Sequence, residues 1–253
     1  MVSAAYERVG TGEHVVLTLH GWFGSANSWG SLTPHLDGDR FSYVFPNFRG
    51  YGARKGVTGE YTIAEAAADV LALADELGAS RFSLIGHSMG GSVMQWVYAD
   101  APERVRSLVG VSPVPASGVP FDEETWQLFS SAAGDPESRK KIIDFTTGHQ
   151  HHAHWLHQLV QHSLDNSDEA AVGAYLEAWA RTDFHDRIAG SEVPIKVIVG
   201  ENDPVLGEQA MLTTFAQWYP KLELEVMPDA GQYAPDEVPV TLANTIEIFL
   251  EQY

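Results

Sequence analysis

Short runs of consecutive apolar residues alternate with amphipathic stretches in the first half of the chain. A helix is predicted over residues 62–77, where Thr62 and Glu65 match a capping box and Gly78 follows the last apolar position. The alternation predicts a mostly parallel sheet that is covered by helices on both faces. The apolar runs that predict its buried strands lie at residues 15–19, 43–45, 82–85 and 105–111.

The alternation stops at about residue 113 and returns after residue 190. The interval is rich in His, Trp and Gln, contains helical patches such as residues 170–181, and has no convincing strand. Beyond it, the pattern predicts strands at 195–199 and 222–226 and helices at 210–218 and 240–250.

We therefore expect an α/β fold with a doubly wound, mostly parallel sheet. Its core is formed by residues 1–112 and 191–253, and residues 113–190 are predicted to form a helical lid inserted between two strands.

Composition narrows the possible partners. The formal charge of −19 arises from 34 acidic against 15 basic residues, and it argues against nucleic acid and anionic membranes as partners. Since cysteine is absent, disulfides, thiolate nucleophiles and cysteine-ligated zinc are excluded. The first residues lack a basic region followed by an apolar core, and no apolar run approaches the roughly 18–20 residues that span a bilayer. A cytoplasmic protein is expected, and its oligomeric state is not indicated.

The most informative motif is Gly-His-Ser-Met-Gly at residues 86–90, between a predicted strand and a predicted helix. This is the context of a nucleophile elbow, a tight turn that raises one hydroxyl above the backbone and needs glycine beside it. Ser88 is therefore the predicted nucleophile, with a coincidental turn serine as the alternative. The backbone amide of Met89 and that of Trp22, which follows the first strand, are the predicted oxyanion donors.

Asp203 follows the predicted strand at 195–199. A carboxylate in this position lies at the edge of a parallel sheet where ligands bind, which makes Asp203 the candidate acid. The alternative is that Asn202, Asp203 and Pro204 only form a turn.

These motifs, in their order, resemble the α/β-hydrolase fold superfamily. The chain is most similar to the small single-domain bacterial esterases, lactonases and cofactor-free haloperoxidase-like enzymes of that superfamily. The resemblance implies a serine hydrolase in which Ser88 attacks a small hydrophobic ester or lactone through an acyl-serine intermediate and Asp203 orients the base. No cofactor is expected, since glycine-rich phosphate loops are absent. The motifs that carry the resemblance lie at residues 20–21, 47–52, 86–91 and 200–204.

The family places its catalytic histidine after the last strand, in a pattern resembling Gly-x-Gly-His followed by Glu-x-Pro. Gly231, Glu237 and Pro239 align with that pattern and put Gln232 at the histidine position. An amide has no titratable proton near neutrality, so Gln232 cannot accept the proton of the serine. Loss of the base in a comparable enzyme costs on the order of a million-fold in turnover. Hydrolysis is therefore expected to be impaired.

Three interpretations of Gln232 remain open. The chain is a catalytic-histidine variant of an active hydrolase, or it natively catalyses a cyclisation or isomerisation that needs only the oxyanion hole and a shaped pocket, or it binds a ligand on a hydrolase scaffold. Replacing Gln232 with histidine distinguishes the first from the others.

Histidines and aromatic residues are concentrated in and around the expected lid. A metal site is one interpretation of the histidines at residues 149–162, but no neighbouring carboxylate or cysteine completes a ligand set, so a polar lid helix is preferred and no metal is predicted. One of these histidines as a surrogate base for Ser88 is a further possibility. An apolar substrate pocket is predicted from aromatic residues, with core packing as the alternative for each. These residues are Trp22, Phe23, Trp126, Trp155, Trp179 and Tyr233.

Overall fold

The computed structural model describes residues 5–253, so the first four residues, from which the absence of a leader was partly inferred, lie outside it. The described chain forms one seven-stranded sheet. Its strands are β1 Tyr6–Val9, β2 His14–Leu19, β3 Phe41–Pro46, β4 Phe82–His87, β5 Val105–Val111, β6 Ile195–Gly200 and β7 Leu222–Met227.

The strands are arranged in the order β1-β3-β2-β4-β5-β6-β7. β1 pairs with β3 in antiparallel orientation, and all other neighbours are parallel. The predicted fold class is confirmed. β1 was not predicted, because the sequence Tyr-Glu-Arg-Val is short and mostly polar and lies on an edge strand with exposed side chains.

Helices cover both faces of the sheet. Alternate residues of the strands belong to two hydrophobic clusters: Leu17 shares one with residues of the helices Ile63–Glu76 and Met89–Asp100, whereas Val16 shares the other with residues of the helix Pro239–Leu250. The α-helices are α1 Ile63–Glu76, α2 Met89–Asp100, α3 Glu123–Ser131, α4 Pro136–Thr146, α5 Ala153–Asp165, α6 Glu169–Arg181, α7 Glu208–Thr213, α8 Phe215–Trp218, α9 Ala234–Glu237 and α10 Pro239–Leu250.

The predicted capping box of α1 is only half formed. The Thr62 hydroxyl accepts a hydrogen bond from the backbone N–H of Glu65 at 3.1 Å. The Glu65 carboxylate, however, accepts from the backbone N–H groups of Glu60 and Tyr61 instead of that of Thr62. It also contacts the guanidinium of Arg49, and this ion pair draws the carboxylate toward the preceding loop.

Four helices, α3 to α6, separate β5 from β6, and none of the described strands lies between residues 113 and 190. These helices contact the core at several points. The Trp22 indole donates to the carbonyl of Val172 in α6 at 2.8 Å, and Nε2 of His162 in α5 lies 3.1 Å from the hydroxyls of both Ser25 and Ser28. Within the described part of the chain, no helix is long and apolar enough to cross a membrane.

Candidate active site

Ser88 lies at the end of β4, in a strained turn that leads directly into α2. Its φ of 52° and ψ of −120° lie in a region of backbone conformation that residues other than glycine rarely adopt. A Cβ on Gly86 would come within 2.5 Å of the Gly90 carbonyl oxygen, and a Cβ on Gly90 within 2.3 Å of the Leu19 carbonyl oxygen. Glycine is therefore required on both sides of the serine.

Two backbone N–H groups are the candidate oxyanion donors. Met89 is the first residue of α2, so its N–H lies outside the helical hydrogen-bond ladder. The N–H of Trp22 has no backbone partner among residues 5–253. Met89 as a whole is fully buried.

Asp203 follows β6, and its carboxyl group is only 5% exposed. Oδ1 accepts hydrogen bonds from the backbone N–H groups of Val205 and Leu206 at 2.9 and 3.0 Å, whereas Oδ2 has no partner within the described chain. Burial raises the pKa of Asp203 to about 6, against the opposing effects of the two backbone donors and the nearby Ser112 hydroxyl. No cation among the described residues offsets this burial.

Gln232 is held in place through its backbone. Its N–H donates to the Thr146 carbonyl at 3.0 Å, and its carbonyl accepts from Nε2 of His87 at 2.8 Å. The side chain is 6% exposed, and its Oε1 has no hydrogen-bond partner in residues 5–253. Asp203 Oδ2 and Gln232 Oε1 are thus two buried acceptors without the N–H that an imidazole would bring.

Glu237 fixes the loop that carries Gln232. Its Oε2 accepts from the backbone N–H groups of Gly231 and Tyr233, both at 2.9 Å. Its Oε1 lies 2.6 Å from Nε2 of His151, which precedes α5. The carboxylate therefore joins the loop at position 232 to the segment between β5 and β6, a role that the sequence did not reveal.

A cavity of about 480 Å³ lies between the sheet edge and helices α3 to α6. Ser88 and Gln232 both line it, and Asp203 lies behind Val205 and Leu206, which also line it. Ser88 and Gln232 therefore share one cavity wall, and Asp203 is hydrogen-bonded to two residues of that wall. The aromatic residues of the wall are Trp22, Phe23, Trp29, Phe121, Phe129, Trp155, Trp179 and Tyr233.

Trp126 is not part of this wall, which corrects the prediction made for it. It lines a separate shallow depression, and the guanidinium of Arg181 lies 3.8 Å from the centre of its ring. Phe129 lies on the cavity side of α3 instead, and Phe121 precedes this helix. Only packing shows which side of α3 faces the cavity, and Phe121 was not predicted.

The histidines near the site are held in neutral, structural arrangements. His20 Nδ1 lies 2.8 Å from the Gly21 carbonyl oxygen, and its Nε2 accepts from the backbone N–H of Phe48. Burial lowers the pKa of His87 to about 4 and also lowers the pKa of His162. Because His87 donates through Nε2, its Nδ1 carries a lone pair.

No imidazole in residues 5–253 forms a hydrogen bond with the Ser88 hydroxyl, and His162 is the member of the 149–162 histidine group that lines the cavity. The described residues also contain no group of three or more metal-ligating side chains.

Comparison with known proteins connects this geometry to characterised relatives. The family model described as alpha/beta hydrolase fold matches residues 14–239. The chain is 26% identical over 172 residues to 3-oxoadipate enol-lactonase 2 of Acinetobacter baylyi, an alignment that covers 66% of this chain and 63% of that relative. It is 24% identical over 239 residues to esterase YbfF of Escherichia coli, with 93% and 92% covered.

Among solved structures, a thermophilic esterase from Thermogutta terrifontis superposes with a TM-score of 0.83 at 25% identity, covering 98% of this chain and 93% of that chain. The curated relatives differ in length, and the chain spans 30%, 63% and 92% of the first three that it matches.

Proposed function

Since this chain belongs to the alpha/beta hydrolase fold family, we propose that it cleaves a small hydrophobic ester or lactone through an acyl intermediate on Ser88. The observation that carries this proposal is the strained backbone of Ser88, whose φ is 52°. The residue stands immediately before α2 and lines a cavity with an aromatic wall. The esterase and lactonase among its relatives support the same reaction class.

In the proposed reaction, the Ser88 oxygen forms a bond to the substrate carbonyl carbon, and the carbonyl oxygen takes up negative charge. The N–H groups of Trp22 and Met89 stabilise that oxyanion. Expulsion of the alkoxide leaves the acyl group on Ser88, and water then attacks the acyl carbon and releases the acid. The proton of the Ser88 hydroxyl passes to water in the cavity, and the departing alkoxide takes up a proton from water, because Gln232 has no basic atom to carry a proton between them.

This chemistry predicts slow turnover by the chain as it stands. In comparable serine enzymes, the oxyanion hole and binding alone retain a rate about a thousandfold or more above that in water. We further propose that residues 113–190, with helices α3 to α6, act as a lid that excludes solvent from the cavity.

A second candidate is a protein that binds its ligand without hydrolysing it. The observation that favours it is the pair of unpaired acceptors, Asp203 Oδ2 and Gln232 Oε1. With no base between them, the cavity retains its shape and its N–H donors but lacks the group that drives proton transfer. A cyclisation or isomerisation that uses only the oxyanion donors fits the same arrangement.

The Gln232→His variant tests the hydrolase proposal. We expect kcat/KM for p-nitrophenyl esters of short and aromatic acids to rise at least about a hundredfold, because the new imidazole lies between Asp203 and Ser88 as a general base. Initial rates over a series of acyl lengths provide the measurement.

Gln158→His is the matched control, since it adds an imidazole to the same cavity at another wall position. It is expected to leave kcat/KM within a few-fold of the unmodified chain. An unchanged rate in Gln232→His, or an equal gain in Gln158→His, contradicts the hydrolase proposal.

A further inference from the structure

The cavity wall carries one formal charge. Among the described residues that line it there is no lysine or arginine, and Asp236 is the single carboxylate. The two histidines of the wall, His87 and His162, have pKa values lowered by burial and are neutral near pH 7. The lining residues therefore carry a net negative formal charge, and the buried guanidinium of Arg139 lies outside the lining, 5.4 Å from the centre of the Phe23 ring.

Within residues 5–253, Asp236 has no cationic partner. Its Oδ1 accepts a hydrogen bond from the Ser31 hydroxyl at 2.9 Å, and the charge of Glu237 repels its ionised form. Glu237 is itself paired with His151 and two backbone N–H groups, so it offers Asp236 only like charge. Burial raises the pKa of Asp236 to about 6, which leaves the carboxyl ionised at pH 8.

The cavity is too small to screen this charge. A sphere of its volume is about 10 Å across, which is close to one Debye length at physiological salt. Any charge on a bound ligand therefore interacts with Asp236 through a poorly screened, partly apolar medium. The chain as a whole adds to the same potential through its net charge of −19.

Building on the proposed function, we infer that Asp236 determines the charge selectivity of this cavity. Esters and lactones without a carboxylate are its substrates, and those that carry a carboxylate away from the scissile bond are excluded. The cost of a ligand carboxylate has two parts: repulsion by Asp236, and loss of hydration with no lysine or arginine in the wall to replace it.

The oxyanion that forms during acyl transfer does not conflict with this selectivity. It is transient, and it develops beside the proposed oxyanion donors, the N–H groups of Trp22 and Met89. A permanent carboxylate elsewhere in the cavity has no such donors and persists in the ground state, so it lowers the affinity of the complex.

Three ligands with one phenylalkyl skeleton test the inference: 4-phenylbutanamide, 4-phenylbutanoate and 4-phenylbutylammonium. Titration calorimetry at pH 8 is expected to show that the amide binds and that the carboxylate binds at least about tenfold more weakly. The ammonium is expected to bind at least as tightly as the amide. Asp236→Asn retains an acceptor for Ser31 while removing the charge. It is expected to reduce the ratio of amide affinity to carboxylate affinity about tenfold.

Asp229→Asn is the matched control. Asp229 is exposed, lies near Asp236 in sequence and does not line the cavity, so its loss changes the net charge by the same amount. It is expected to preserve the selectivity of the unmodified protein. Equal affinity for the amide and the carboxylate, no binding of any ligand, or an equal effect of the two variants overturns the inference.

Binding of these ligands does not require the chemistry of Ser88. A result in which charge selectivity is found but no ester is hydrolysed therefore refutes the proposed reaction and leaves the role of Asp236 intact. A result in which esters are hydrolysed but the cavity shows no charge selectivity refutes only the role of Asp236.

Discussion

At the scale of single residues, the site contains a buried carboxyl group with one unpaired oxygen. Asp203 is buried with one oxygen unpaired, and its pKa is raised from 3.8 to about 6 by that burial. In a complete triad an imidazole would donate to this oxygen and stabilise the charge. The glutamine offers instead a side chain whose Oε1 is equally buried and unpaired.

This predicts a pH-dependent stability with a definite sign. The folded-state pKa of Asp203 exceeds the unfolded value, so its contribution to stability is fully present below about pH 4 and is lost as the pH rises through 6. A shift of about two units corresponds to about 3 kcal/mol. Asp203→Asn removes this dependence, so the variant is expected to be more stable than the unmodified protein at pH 8 and to lose most of that advantage at pH 4.

Urea denaturation of both proteins at pH 4 and pH 8 provides the measurement. Asp236 titrates in the same range in both proteins, so the difference between them isolates Asp203. A free energy of unfolding that changes equally with pH in the two proteins argues against a buried, unpaired carboxyl at position 203.

At the scale of elements, the site depends on how closely α2 approaches β2. Gly90 makes this approach possible, because the Leu19 carbonyl oxygen lies where a Cβ would stand. The sequence predicted this glycine requirement from the motif alone. It did not predict that Glu237 joins the loop at position 232 to His151, since hydrogen bonds between residues 86 positions apart leave no periodic signal.

Two glycine-to-alanine variants have opposite expected effects. Gly90→Ala places Cβ within 2.3 Å of a backbone oxygen that cannot move away, so a loss of about 3 kcal/mol or more is expected. Gly173→Ala, inside α6, meets its nearest neighbour at an ordinary 3.7 Å, and the higher helix propensity of alanine is expected to add about 0.5–1 kcal/mol. Thermal unfolding of both variants provides the test, and loss of stability in both contradicts the packing described for α6.

At the scale of the whole molecule, the alternation of strands and helices was sufficient to predict the fold. The resemblance read from four motifs is confirmed by the family match over residues 14–239. The wall of the cavity was harder to predict. Trp126 was placed there wrongly, and Phe121 and Asp236 were missed, because the helix faces that meet in a cavity are decided by long-range packing rather than by local pattern.

The net charge of the whole chain affects which ligands approach the cavity. A net charge of −19 favours uncharged or cationic ligands before they reach the cavity, and Asp236 continues that preference inside it. The aromatic wall then selects for apolar groups on the acyl or alcohol side.

Acylation tests whether Ser88 is a nucleophile that faces this cavity. The protein is incubated with p-nitrophenyl phenylacetate, and its intact mass is measured over time, followed by peptide mapping. We expect a gain of one phenylacetyl group on Ser88 that persists, because Gln232 also slows deacylation, and no gain in Ser88→Ala. Labelling that is equal in the two proteins, or that maps to another residue, contradicts a nucleophilic role for Ser88.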